Sequence, residues 1–327
     1  MKVLLLSRRE VDKLISMRET IEAVEEAFRA KGLGKVQMPP KSYVFFNRYQ
    51  GDFRVMPAYL EDMEAAGVKI VNVHPQNPSK YGMPTVMATI VLIDPRTGAP
   101  LAIMDGTTIT NVRTGAAGAV AAKYLARKDS RVVAMIGAGV QARFQLLALN
   151  EIFKIEEVRV NDSAEKNAKK YASEMEKQLS IDVKITDTPE AVQDADIIVT
   201  TTPVREPLIM NEWIPEGVHI NAIGADAPGK EELDPKILKR AKIVVDDWEQ
   251  ASHSGEINIP LSKGMLTCDE IYAEIGEIIS GRKPGRTSRD EITVFDSTGL
   301  AVQDIATDWI VYKKAKKMGK GQEVELL

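Results

Sequence analysis

Residues 131–142 read Arg131-Val132-Val133-Ala134-Met135-Ile136-Gly137-Ala138-Gly139-Val140-Gln141-Ala142. The apolar run Val132–Ile136 predicts a strand, the glycines a tight turn, and Arg143–Leu149 a helix. This is the strand–turn–helix opening of a dinucleotide-binding unit, with Ala142 at the third small position. Gly137 permits the turn. Gly139, lacking a side chain, lets a pyrophosphate reach the backbone. The first amide groups of the helix then face that anion. An ordinary βα turn would read the same way, so the downstream sequence decides. A second strand, Glu157–Asn161, ends at Asp162, about 20 residues past the glycines, where a ribose-binding carboxylate is expected. Ser163 follows, and no arginine stands beside it to neutralise a 2′-phosphate. The expected cofactor is therefore NAD rather than NADP.

The bulk properties narrow the rest. A chain of 327 residues predicts two domains. Its 44% hydrophobic and 28% charged residues are those of a soluble globular protein. A net charge of −4 and a pI of about 5.7 give no electrostatic case for nucleic acid. Cys268 is the one cysteine, which excludes an internal disulfide and a multi-cysteine zinc site and fits a reducing cytoplasm. No metal site is expected. Arg8, Arg9 and Glu10 end the first apolar run too early for a signal peptide, and no stretch approaches a membrane span.

Outward from the glycine turn, βα alternation continues. Strands are predicted at 132–136, 157–161, 182–185, 196–200, 218–223, 242–246 and 292–296, most of them separated by helical patterns. That is a doubly wound parallel (Rossmann) α/β sheet. The first third differs. Strand signals at Val3–Leu6, Lys41–Phe46, Phe53–Ala58, Ala66–Val73, Thr85–Ile93 and Pro100–Met104 follow one another with few helices between. They predict a smaller mixed-sheet α+β domain. Ser7 and Ser16 are placed to start helices, the second with apolar Ile21, Val24, Ala27 and Phe28. The small-residue segment Ala116–Ala122 predicts a closely packed helix joining the domains. Leu300–Met318 predicts a last helix returning to the first domain, its terminal lysines a solvated, dipole-favoured end. The expected domains are 1–115 with 303–327 for substrate and dimerisation, and 116–302 for the dinucleotide.

Ligands of such sheets sit at the carboxyl ends of the strands. Two segments are expected there: Thr200-Thr201-Thr202-Pro203, and Asn221–Lys230, which carries Asp226 between a glycine turn and a proline. A lone loop aspartate is ordinarily a turn former, but its place at a strand end makes Asp226 a catalytic candidate. In the first third Lys41, Arg54, Lys69 and Arg113 lie among apolar or strand-forming residues. Each alone reads as an outward-facing side chain. Together they predict a cationic pocket for a small carboxylate.

Six stretches carry a resemblance. They are Ala66–Pro75, Pro84–Ala88, Arg113–Ala116, Ile136–Ala142, Gly224–Lys230 and Phe295–Asp304, in order along nearly the whole chain. They resemble the ornithine cyclodeaminase/mu-crystallin family. Gln37–Lys41 and Asp52–Ala58 are most similar to its archaeal-type alanine dehydrogenases. The resemblance implies a homodimer paired through the first domain. It implies NAD on the Gly137, Ala138, Gly139, Val140 and Gln141 loop. Beside that loop it places Arg113 and Thr114, then Asn161, Asp162 and Ser163, then Thr201, Thr202, Pro203, Ile223, Gly224, Ala225, Ser297, Thr298 and Gly299. Lys69 and Arg113 are implied to hold the substrate carboxylate or act at Cα, with Lys41, Arg54 and Thr85 around it. Asp226 is implied to handle the water or amine. Ornithine cyclodeaminases carry a glutamate just before the Met-Pro pair to grip the distal ammonium, where this chain has Arg54. A cation there argues against ornithine.

The expected activity is an NAD-dependent, reversible oxidative deamination of L-alanine to pyruvate and ammonium, with Lys69 and Asp226 catalytic. Ornithine cyclodeaminase and cyclic ketimine reductase stand as alternatives on the same scaffold. A mu-crystallin-like ligand-binding role ranks below them, because Lys69, Arg113 and Asp226 are all present.

Overall fold

In the computed structural model, which describes residues 2–326, the chain divides into two units, Met1–Arg113 with Leu300–Leu327 and Thr114–Gly299. Met1 and Leu327, the outer limits of the first domain as read from sequence, lie outside the described residues.

The first unit is built on one mixed sheet. Its strands are β1 (Lys2–Leu6), β2 (Val36–Gln37), β3 (Ser42–Phe46), β4 (Gly51–Leu60), β5 (Ala65–Val73), β6 (Val86–Ile93) and β7 (Pro100–Asp105), joined by β16 (Gln322–Glu325) from the chain's end. The order is β16-β1-β7-β6-β5-β4-β2, with β3 also paired to β4. Only β1 and β7 run parallel. Alternation sets the faces. Arg54, Met56, Ala58 and Leu60 of β4 and Ala65, Gly67, Lys69 and Val71 of β5 all point to one buried side. The helices Met17–Gly32 and Ala301–Met318 pack together, the second lying on β4 and β5. The Met17–Gly32 helix buries Ile21, Val24, Ala27 and Phe28, the stripe its sequence predicts. At Ser7 the backbone N–H and the hydroxyl both donate to Glu10 Oε2, at 2.8 and 2.7 Å, closing the first turn of Arg8–Leu14.

The second unit is a wholly parallel sheet of β8 (Val132–Ile136), β9 (Glu157–Asn161), β10 (Asp182–Ile185), β11 (Ile197–Thr200), β12 (His219–Ala222), β13 (Lys242–Val245), β14 (Ile271–Glu274) and β15 (Thr293–Asp296). The order is β10-β9-β8-β11-β12-β15-β13-β14. It reverses direction between β8 and β11, which places a ligand crevice beyond those two strand ends. Two apolar clusters bury the sheet, one around Ile198 and Ile220, the other around Val133 and Val158. Strands covered on both faces read as near-continuous apolar runs, as β8, β11 and β13 do, whereas β9 and β10 toward one edge alternate.

Several elements depart from expectation, among them the two-residue strand β2. The small-residue helix is Gly106–Leu125, starting ten residues before Ala116. Its threonine-rich first turns look unlike a helix, but Asp105 Oδ2 accepts the Thr108 N–H at 3.0 Å and secures that end. β14 and β16 were not foreseen. The first is four residues, Ile-Tyr-Ala-Glu, with a polar end; the second is a mostly exposed edge strand. Lys314, read as part of a solvated helix end, instead pairs with Glu19 at 2.7 Å. Among the described residues, no helix is long and apolar enough to cross a membrane.

Candidate functional site

In the first unit, Lys69 sits mid-β5 opposite Met56 of β4 and Ile90 of β6, and is 1% exposed. An isolated ammonium there would be costly, so its partner matters. That partner is Asp304, in the first turn of the Ala301–Met318 helix. Its Oδ2 lies 2.7 Å from Lys69 Nζ and its Oδ1 2.8 Å from Arg113 Nε. Gln303 Oε1 takes Arg113 Nη1 at 2.7 Å and the Leu300 N–H at 3.3 Å, fixing both the guanidinium and the helix start. Gly67 is what lets this helix approach. A side chain there would meet Val91 O at 2.5 Å and Ile305 Cδ1 at 3.0 Å. The sheet brings Lys69 up, the glycine lets the helix in, and Asp304 bridges two cations.

Burial pushes the Lys69 ammonium down to about 7, and the nearby Arg113 charge adds to it. Asp304 opposes the shift, and the charge of Lys41 lowers it further. Asp308, one turn beyond Asp304, is fully buried, and burial followed by the Asp304 charge pushes its carboxyl well up. The Lys69 and Arg113 charges oppose that shift. Asp304 bridges Lys69 and Arg113, one carboxylate against two basic side chains. Lys41 is half-buried just before β3. Arg54 lies opposite Val71, one diagonal from Lys69 on the same face of the sheet. Its guanidinium donates to Asp52 Oδ1 at 3.1 Å and stacks over the Tyr43 ring at 5.2 Å. Thr85 precedes β6, and its carbonyl accepts the His74 N–H at 2.8 Å.

In the second unit the glycine turn is built as its sequence requires. Gly137 has φ +95°, and a side chain on it would press on Thr201 Oγ1 at 2.8 Å. A side chain on Gly139 would meet nothing within 4 Å, so open space lies before the 13-residue helix Val140–Ile152. Its first amide groups and that space fit a pyrophosphate. Val140 is exposed, Gln141 half-buried and Ala142 buried. Asp162 accepts the Ala138 N–H at 2.8 Å and the Ala164 N–H at 2.9 Å, which fixes its carboxylate at the tip of β9. Asn161 is occupied by Thr186 O and Thr188 Oγ1, and Ser163 is exposed. Thr114 O accepts Gln145 Nε2 at 2.9 Å.

The other segments end β11, β12 and β15. Thr201 and Thr202 are half-buried and Pro203 exposed; Ile223 and Ala225 are buried beside half-buried Gly224. Asp226 pairs with Lys230 at 2.6 Å and stays one-third exposed. Ser297 and Thr298 are buried, and the donors of Thr298 and Gly299 go to Asp246: Thr298 N–H at 2.7 Å and Gly299 N–H at 2.8 Å. Sequence reasoning missed Asp304, Gln303 and Asp246. It also missed Arg143, whose Nη1 donates to Ala138 O and Gly139 O at 2.7 and 2.9 Å and clamps the glycine loop. The available signal was position. Asp246 directly follows an apolar strand run, and Arg143 follows Gly139 by one helical turn. Among the described residues, no group of three or more His, Cys, Asp or Glu is placed to hold a metal ion.

A family model, ornithine cyclodeaminase/mu-crystallin, matches residues 1–319. The alanine dehydrogenase of Archaeoglobus fulgidus is 54% identical over 325 residues, 99% of each chain. A solved archaeal alanine dehydrogenase dimer with bound NAD has a TM-score of 0.96 at 54% identity, covering 100% of both chains. The Δ(1)-pyrroline-2-carboxylate reductase of Thermococcus litoralis, solved with NADH and L-proline, has a TM-score of 0.95 at 47% identity. That match covers 98% of this chain and 100% of the other.

Proposed function

This chain belongs to the ornithine cyclodeaminase/mu-crystallin family, and on that footing we propose that it deaminates L-alanine oxidatively and reversibly to pyruvate and ammonium. It is an NAD-dependent oxidoreductase. The observation that carries the substrate class is the buried Lys69–Asp304–Arg113 bridge, in which one carboxylate stands against two cations. A substrate carboxylate supplies the missing negative charge. Within that class, the 54% identity to an alanine dehydrogenase supports alanine.

NAD, when bound, supplies the acceptor for the hydride of Cα. The chain's own residues do the rest. Arg113, held by Asp304 and Gln303, and Lys41 orient the carboxylate, with Arg54 and Thr85 bounding it. Lys69, balanced near neutrality, exchanges the proton of the amine or of the developing carbonyl oxygen. Asp226 directs water at the imine carbon. In the second unit the Gly137–Gln141 loop and the ends of β9, β11, β12 and β15 hold the cofactor, and Asp162 receives the ribose hydroxyls. A 2′-phosphate beside that carboxylate would be repelled.

The test is a turnover panel read by NADH absorbance. Alanine with NAD⁺, and pyruvate with ammonium and NADH in reverse, are expected to lead it, with NAD⁺ preferred to NADP⁺. Ornithine is expected to turn over poorly, because Arg54 is a cation on the Lys69 face. Asp52 softens that repulsion, so the discrimination is expected to be about tenfold rather than absolute. Ornithine equal to alanine would remove Arg54 from the pocket. Δ(1)-pyrroline-2-carboxylate belongs in the same panel, since a relative 47% identical reduces it by name. Its reduction faster than pyruvate amination would replace alanine with a cyclic imine.

The proposed assembly is a homodimer paired through the first unit. Phe45 and Tyr49 are each 61% exposed there, with Val44 and Ile70 at 45% and 44%. Apolar surface of this kind marks association. Sedimentation velocity is expected to give twice the chain mass, and Phe45→Glu to shift it toward the monomer. A dimer indifferent to that change would have to pair elsewhere.

A further inference from the structure

Segments that grip a cofactor must be fixed before it arrives. The two that follow β11 and β12, which we give to NAD, share one anchor. Glu232 is fully buried. Its Oε1 accepts the Thr202 N–H and the Thr202 hydroxyl, both at 2.7 Å. Its Oε2 accepts the Thr200 hydroxyl at 2.6 Å and the Gly224 N–H at 2.8 Å. Each oxygen thus holds one of the two segment backbones, and the Thr200 side chain ties the second oxygen back to β11. The anchor is itself held: the Glu232 and Leu233 N–H groups donate to Glu256, at 2.9 and 2.6 Å. Four donors meet the hydrogen-bonding demand of this buried carboxylate, and all four come from the ends of β11 and β12 or the residues just after them.

We propose that Glu232 is a positioning residue for the cofactor, setting the Thr200–Thr202 segment against Gly224 so that NAD affinity depends on a carboxylate that does not touch NAD; this rests on giving those two segments to NAD. A core residue of purely structural value would hold up the fold and leave affinity alone. Glu232 sits instead where two parallel strands end, beside the reversal of strand order. The same logic recurs in this unit, where Asp246 holds the Thr298 and Gly299 N–H groups.

The experiment compares Glu232→Gln and Thr200→Val with the native chain by NADH titration, amino-acid KM at saturating NAD⁺, and hydrogen exchange with and without NADH. In Glu232→Gln an amide NH₂ replaces one oxygen and faces a backbone N–H, donor against donor. The NADH Kd is expected to rise about tenfold, with the amino-acid KM nearly unchanged. Thr200→Val keeps shape and removes one bond, so it is expected to raise Kd about threefold and to carry the test if the glutamine variant does not fold. Unchanged Kd in a folded variant, with only the melting temperature lowered, overturns the proposal. If NADH protects neither 200–203 nor 223–225 in the native chain, the assignment of those segments fails and the role of Glu232 falls with it. Protection there, with Kd unchanged in the variants, defeats Glu232 alone.

Discussion

Lys69→Ala is expected to lower kcat by about 10²–10⁴-fold, the usual span for one general acid–base group, and Asp226→Ala by a similar amount. A proton-transfer group works best when its pKa lies near the working pH. Burial, Arg113 and Lys41 pull Lys69 down and Asp304 holds it up, and the balance leaves it at about 7. A free lysine would stay charged and give up its proton too reluctantly. Lys69→Ala should also raise the amino-acid KM, because the residue lies among the cations given to the carboxylate. Asp226 is held by Lys230 at 2.6 Å, an ion pair that keeps its carboxylate charged and oriented just past the end of β12. NADH binding, followed by fluorescence, should change little in either variant, since neither residue lies in the glycine loop or at Asp162. Near-native kcat in Asp226→Ala would return that residue to turn formation. Near-native kcat in Lys69→Ala would leave the bridge as a structural device only.

How far the sequence could be read depended on what each residue's neighbours were. The parallel strands were legible by burial: Val132–Ile136, covered on both faces, reads as an apolar run, and Glu157–Asn161, fully buried on one face only, as an alternation. β14 was not, because four residues ending in glutamate carry too little pattern. The start of the Gly106–Leu125 helix was hidden by Gly106, Thr107, Thr108 and Thr110, poor helix formers whose first turn Asp105 secures. Lys69 and Arg113 were legible as cations among strand formers. Their partner was not. Asp304 is one polar residue in a helix that is buried nearly all round its first two turns. Its pairing depends on the absent side chain of Gly67 and on the β4–β5 register, neither of which is local. Glu232 was invisible for the same reason: a carboxylate's value here lies in which backbone amides surround it.

Asp304 therefore carries the other large expectation. Asp304→Ala removes the carboxylate that bridges Lys69 and Arg113 and leaves both buried without their ion-pair partner. Removing one partner of a buried ion pair costs about 3–5 kcal/mol. The low end is expected, because Lys69 can shed its proton and so remove one of the two stranded charges. Urea denaturation at neutral pH, following the loss of helix signal, should show the first transition earlier by that amount. A shift below about 1 kcal/mol would mean that water or a mobile side chain replaces Asp304. Asp304→Asn separates stability from chemistry, since the amide keeps the volume and one acceptor. The sign of its pH effect follows from the pair. Asp304 favours the charged form of Lys69, so removing its charge moves Lys69 further below about 7. The limb that Lys69 gives to the kcat/KM profile should then move to lower pH. If catalysis needs the neutral amine, Asp304→Asn keeps more activity than the native chain on the acid side. If it needs the ammonium, the variant loses activity first at neutral pH. A limb that stays in place while stability falls would show that Asp304 holds the helix but does not set the charge of Lys69.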